Sequence, residues 1–313
     1  MKKLIVLLLA FAMVGGVFAQ TADPALTFSG YVYTGFQYDS TSDSLYLYNA
    51  ATPNYTRIRW NMAYTNGDFG LSFRVQNSDV VAPTSPQLFT QALVWGNLFN
   101  KTVTFKAGKL NDYTWATPYY AWGNFDGKTG FQAQFKPVAG LNFGFFVPLQ
   151  ANTTVLASDV LKDINVAAKY TVNDYGTILA HLNLGTAANA LYLSANVSAI
   201  EDLTLIVESA IADLTAAGTN TTVNEYVSYS MGDLAVGLFA QQAFAASFGW
   251  SVAPEVSYAM EDKEIGASFT YNSDTTYSLD PYVTFTLNGK SSAKVYACYD
   301  GAFTVGTNFM FNF

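Results

Sequence analysis

Residues 55–77 read YTRIRWNMAYTNGDFGLSFRVQN, and two alternating runs in this stretch decide the fold. They flank Asn66-Gly67, a dipeptide suited to a two-residue hairpin turn. With that pair at the centre, Thr65 faces Asp68, Tyr64 faces Phe69, Met62 faces Leu71, Trp60 faces Phe73 and Arg59 faces Arg74. One face is aromatic and aliphatic. The other carries guanidiniums, and the stretch holds every arginine of the chain: Arg57, Arg59 and Arg74. Like charges directly opposite each other destabilise a sheet. That face therefore needs water, anions or carboxylates beside it. The hairpin has one greasy side and one wet, positively charged side.

The same alternation continues from Leu26 to Phe313. Eighteen segments carry it, or sixteen if those near the ends merge, each about the ~9–11 residues a tilted strand needs to cross a bilayer. Tight turns begin near Asn66, Phe99, Pro137, Asn173, Ile200, Gly232, Glu261 and Asn288. Longer connections intervene, notably 40–53, 111–128 and 148–162. Loops sorted in this way, short at one end and long at the other, are expected of a transmembrane barrel rather than a soluble sandwich. An even strand count returns both termini to the short-turn side.

Composition agrees. Apolar residues make up 50% and aromatics 16%, with 21 Tyr and 24 Phe, while charged residues make up only 12%. Such a chain spends its apolar residues on every second position. At the start, Lys2 and Lys3 precede an apolar run from Leu4 to Val14, then Gly15, Gly16 and Val17-Phe18-Ala19. This is the pattern of a secretory signal peptide, residues 1–19, cut after Ala19, with residues 20–313 forming the barrel. Cleavage removes two lysines and leaves 13 basic against 23 acidic side chains, a net charge of −10. A nucleic-acid partner, which requires a basic face, is not expected. Cys298 is the only cysteine, so there is no intrachain disulfide.

Two stretches carry a resemblance. The final segment AFTVGTNFMFNF places Phe303, Val305, Phe309, Phe311 and Phe313 on one parity and ends on an aromatic. It resembles the C-terminal signature of bacterial outer-membrane barrels. QALVWGNLFNKTVTFKAGKLND, residues 91–112, resembles the general diffusion porins of Gram-negative bacteria: a strand, a short turn and a strand ending in Gly108-Lys109, then the longest interruption in the chain. The resemblance implies an all-β, transmembrane, antiparallel up-and-down β-barrel of 16–18 strands in the bacterial outer membrane. It implies that the third external loop, 111–128, folds inward. It also implies a homotrimer.

The site residues follow partly from parity and partly from this resemblance. Arg57, Arg59, Arg74 and Lys106 fall on the lumen parity of their strands. The resemblance sets Asp112 and Asp126 of the third loop against them as a pore constriction. Charge at a narrow, low-dielectric mouth selects solutes electrostatically. A salt-bridge network that merely holds the loop is the competing reading. The loop departs from the family in being aromatic: Tyr113, Trp115, Tyr119, Tyr120 and Trp122. These form either a stacking track for sugar rings or packing against the wall. Glu208 and Glu255 are expected to be solvated wall charges. His181, the only histidine, is expected on the lumen wall, and no catalytic constellation, metal-ligand spacing or phosphate loop is present. No enzyme activity and no cofactor are expected.

The expected function is passive diffusion of small hydrophilic solutes and ions through a water-filled channel embedded in outer-membrane lipid. A saccharide-selective channel is the alternative. A surface antigen or adhesin is a third reading, disfavoured by the short external connections at 185–188 and 245–247.

Overall fold

The computed structural model describes residues 24–47, 56–77, 89–110, 113–117, 119, 128–149, 164–185, 189–215 and 220–313. The segment expected to be cleaved lies outside them. The strands are β1 (Ala25–Asp39), β2 (Ser44–Leu47), β3 (Arg57–Asn66), β4 (Phe69–Asn77), β5 (Gln91–Leu98), β6 (Val103–Lys109), β7 (Thr129–Val138), β8 (Leu141–Pro148), β9 (Ile164–Val172) and β10 (Gly176–Leu184). They continue as β11 (Asn189–Val197), β12 (Leu203–Ile211), β13 (Thr221–Met231), β14 (Leu234–Phe244), β15 (Phe248–Ala259), β16 (Lys263–Asn272), β17 (Tyr277–Thr286), β18 (Ser292–Tyr299) and β19 (Phe303–Asn312). One 3-10 turn, Tyr113–Trp115, interrupts the all-β order.

Every neighbouring pair is antiparallel, and β1 pairs with β19 to close the sheet into a barrel. β2 and β3 lie along the same edge of β1, facing Phe36–Asp39 and Ala25–Tyr33 respectively. They share one place, so the barrel has eighteen places around its circumference, as the alternating segments predict. Closure leaves no strand edge to be hydrogen-bonded by hydrocarbon, which is why barrels can span a membrane.

The period-2 pattern sorts the two faces. Ile178, Trp60 and Val94 point outward and are 63%, 59% and 52% exposed. With Phe143, Val166, Val207, Val256 and Phe311, they belong to an apolar outer surface that runs around the sheet. An exposed apolar surface of this extent is rare on water-soluble monomers and suits contact with hydrocarbon. Phe313 meets Trp60 edge-on at 5.8 Å, so the last residue seals the seam where the chain closes. Among the described strand residues a carboxylate breaks the pattern: Glu225 lies on the outward parity of β13, exposed between Val207 and Ala240. Pro254 and Pro281 also stand in mid-strand, and ladder pairing lapses beside them between β15 and β16 and between β17 and β18. A missing N–H explains each lapse.

The hairpin at 55–77 is paired differently from the expectation. Asn66 faces Phe69, so the turn is centred on Gly67-Asp68, one residue later than Asn66-Gly67. Gly67 takes φ 59 at the first central position, the place where a II′ turn requires it. Arg59 consequently faces Gln76, and Arg74 faces Asn61. The two guanidiniums keep the same face but are no longer opposite each other.

Candidate functional site

The largest fully buried side chains lie inside the barrel rather than between layers. Leu93 (β5), Leu110, Trp115, Phe146 (β8), Ala167 (β9) and Leu179 (β10) form one apolar cluster. The strand members share the parity opposite to the exposed residues, so the cluster fills the lumen along β5–β10. What they pack against is the inward third loop. The Trp115 indole sits over Gly144 of β8, where any Cβ would collide with the ring. Lys169 Nζ of β9 donates to the Thr114 carbonyl at 3.3 Å.

The loop then crosses toward β12. Glu208, with no exposed surface, accepts from Thr117 Oγ1 at 2.8 Å, from the Tyr119 N–H at 3.2 Å and from Ser194 Oγ at 3.4 Å. The Tyr119 ring packs on Phe239 and Tyr226, with centroids 4.8 and 6.1 Å apart. Glu208 is therefore not a solvated wall charge as expected. A buried carboxylate needs donors, and the loop supplies two of them. His181 is buried too, with its Nε2 3.2 Å from Asn165 Oδ1. Gln132, Gln134, Asn165 and Ser194 have wall parity but lie covered on the loop side. Water-lining positions are thus fewer than alternation alone suggests.

Among the described residues, the rest of the circumference turns mostly polar side chains inward. On β3 and β4, Arg59 Nε donates to Gln76 Oε1 at 2.7 Å, and Arg74 Nε to Asn61 Oδ1 at 2.9 Å. Arg57 reaches the Tyr31 hydroxyl at 3.3 Å, and the Arg59 guanidinium lies 5.0 Å from the centre of the Tyr31 ring. Lys106 stands on the interior parity of β6 between Trp95 and Gln132. The structure thus gathers Arg57, Arg59 and Arg74 on one stretch of wall, with Lys106 two strands further on. Nine places away around the circle, β12 and β13 bring Glu208 and Tyr226 to the opposite side.

Beyond them runs a strip of tyrosines and carboxylates. Tyr226 donates to Glu255 Oε1 at 2.5 Å, and Tyr282 to Glu264 Oε1 at 2.5 Å. Lys294 Nζ lies 4.1 Å from the centre of the Tyr282 ring. Tyr282 and Tyr296 lie against Gly266 and Gly306 of adjacent strands, where a Cβ would strike either ring. Tyr296 spans β19 in this way to reach Gln37 Oε1 of β1 at 3.2 Å. Rings laid along the wall leave room in the passage that upright rings would occupy.

Of the expected loop residues, Asp112, Tyr120, Trp122 and Asp126 lie outside the described residues, and of Tyr113 only the backbone is described. Trp115 is packing, not track, because it is 1% exposed. Parity alone did not reveal the tyrosine strip; the glycines paired across from its rings were the available signal.

No family model and no curated protein sequence matches the chain. Solved structures do. A triple mutant of the Rhodopseudomonas blastica porin aligns with a TM-score of 0.60 at 14% identity, covering 92% of this chain and 100% of that one. Another mutant of the same porin gives 0.60 at 15% identity with the same coverage. A loop-deletion mutant of OmpT, an outer membrane protein of Vibrio cholerae, gives 0.55 at 11% identity, covering 93% of this chain and 100% of that one. Closed barrel, inward loop and these likenesses together place the chain on the fold of the bacterial outer-membrane porins.

Proposed function

We propose that the chain is a passive diffusion channel of the bacterial outer membrane, carrying small hydrophilic solutes and ions. One observation carries this reading: the described residues of the inward segment, 113–117 and 119, lie against the β8–β14 side of a closed barrel. The passage would then run between the arginines of β3 and β4 and the tyrosine–carboxylate strip of β15–β18. Opposed charge across a narrow low-dielectric passage orders water and discriminates among solutes by charge. Arg57, Arg59, Arg74 and Lys106 supply the basic side of that constriction. No catalytic step belongs to this reading. The homotrimer implied by the porin resemblance belongs to the proposal and is tested by the mass of the detergent-solubilised protein. Single-channel recording in a planar bilayer tests the whole. Discrete ohmic steps are expected, and a silent bilayer overturns the reading.

Saccharide selectivity is the second reading. The wall rings Tyr226, Tyr282 and Tyr296 favour it, since ring faces flanked by carboxylates suit a sugar's C–H faces and hydroxyls. The track would then lie on the wall and not, as expected from sequence, on the third loop.

A further inference from the structure

At the short-turn end, beside Thr114 of the inward segment, the wall of β6–β9 borders an open cleft of about 420 Å³. Its lining includes Lys101, Lys136 and Lys169, with Asn142, Thr114 and Thr171, and no aspartate or glutamate. The chain has only 15 basic side chains and a net charge of −8. Three of its lysines nevertheless line one cleft, Lys101 and Lys136 exposed at its edge.

Two backbone irregularities meet there. Phe99, Asn100 and Lys101 all take left-handed φ, at 52°, 54° and 67°. Each such non-glycine residue costs roughly 1–2 kcal/mol. The register between β7 and β8 shifts between Phe135 and Val138, so that Lys136 and Pro137 together face Asn142. A bulge of this kind re-aims a side chain and is frequent at barrel rims and beside binding sites. One irregularity carries Lys101 and the other carries Lys136. The third lysine, Lys169, also holds the Thr114 carbonyl, so one side of the cleft is the loop that narrows the pore.

We propose that this cleft is a binding site for a phosphate-class oxyanion, free or as a monoester, held at the inner mouth of the channel. Three ammoniums provide the charge, and the amide and hydroxyls provide further hydrogen-bonding groups around it. A volume of this size lies in the usual range for small-molecule sites and has room for more than a bare ion. The site rests on the channel reading only for its biological sense, because binding itself needs no conduction.

Calorimetric titration of the detergent-solubilised barrel at constant ionic strength tests the proposal, with inorganic phosphate in one arm and glucose 6-phosphate in the other. Saturable binding is expected. Lys101→Glu with Lys136→Glu should weaken it at least about tenfold, while Lys101→Arg with Lys136→Arg should retain it. Tighter binding of the ester assigns the site to phosphorylated solutes, and equal binding assigns it to the free ion. Heat-modifiable migration on a gel establishes that each variant is a closed barrel. Absence of binding to the wild-type barrel, or equal binding by the charge-reversed barrel, overturns the proposal. A barrel that binds phosphate but passes no current overturns the channel reading and leaves the site standing.

Discussion

Thr117 donates to Glu208 at 2.8 Å across 91 residues of sequence, and that bond ties the inward loop to the far side of the barrel. Losing one partner of a buried, charged hydrogen bond costs about 1.5–3 kcal/mol. Glu208→Ala should therefore free the Thr117–Tyr119 end of the loop without opening the wall. Open-channel current noise should rise severalfold in single-channel records, and Thr117→Val should give a smaller increase of the same kind. Quiet channels in both variants would mean that the apolar packing around Trp115 holds the loop unaided.

Gly144→Val attacks the other anchor. Its side chain would occupy the space of the Trp115 ring, and overpacking of this sort typically costs 1–3 kcal/mol. Trp115→Ala removes the same contact by leaving a cavity, at about 3–5 kcal/mol. Both should raise the rate at which liposomes swell in larger sugars, because the β5–β10 side of the lumen empties. Unchanged size exclusion in both variants would show that residues other than Trp115 set the passage.

Arg59→Glu together with Arg74→Glu should turn ion preference toward cations. Each guanidinium is fixed by an amide acceptor, Gln76 or Asn61, so its charge occupies a defined place on the wall. The reversal potential in a salt gradient reads this directly. An unmoved potential would remove these arginines from the constriction.

Tyr282→Ala should separate the two solute classes. Under the saccharide reading, sugar-induced current block weakens about tenfold, within the range of a lost aromatic contact, while small-ion conductance changes little. If a sugar never blocks the wild-type channel, the tyrosine strip is only a wall.

Glu225 predicts a stability effect in the opposite direction. Charged side chains facing lipid destabilise barrels according to depth. Replacing it with Leu should stabilise the barrel by on the order of 1 kcal/mol, seen as a later unfolding midpoint in urea with lipid vesicles. A destabilised Glu225→Leu barrel would point to a polar partner on that face.

Much of this architecture is legible in the residues. Alternation such as Phe143, Phe145 and Val147 against Asn142 and Gly144 marks a strand with two unlike faces, and the distribution of turns orders the strands. The hairpin at Arg59 shows the limit. Asn66-Gly67 and Gly67-Asp68 are both acceptable turn centres, and they differ by two residues of pairing without exchanging faces. Hydrophobic pattern cannot choose between them, because either choice keeps Trp60 and Val75 outward. The interior was less legible still. Glu208 and Glu255 share a parity, yet one is buried under Thr117 and the other meets Tyr226. Only the path of a loop distant in sequence separates their environments, and period-2 reading carries no information about it.

The partners of that loop have a consequence in time. Gly144, Lys169, Glu208, Tyr226 and Phe239 all follow residues 113–119 in the chain and come from five separate strands. The loop cannot settle when it is made. It must wait until strands as late as β14 have joined the wall, and contacts so distant in sequence form slowly. Docking of residues 113–119 therefore belongs to the later half of assembly, after β14 has joined the sheet and independently of the closing β1–β19 pair.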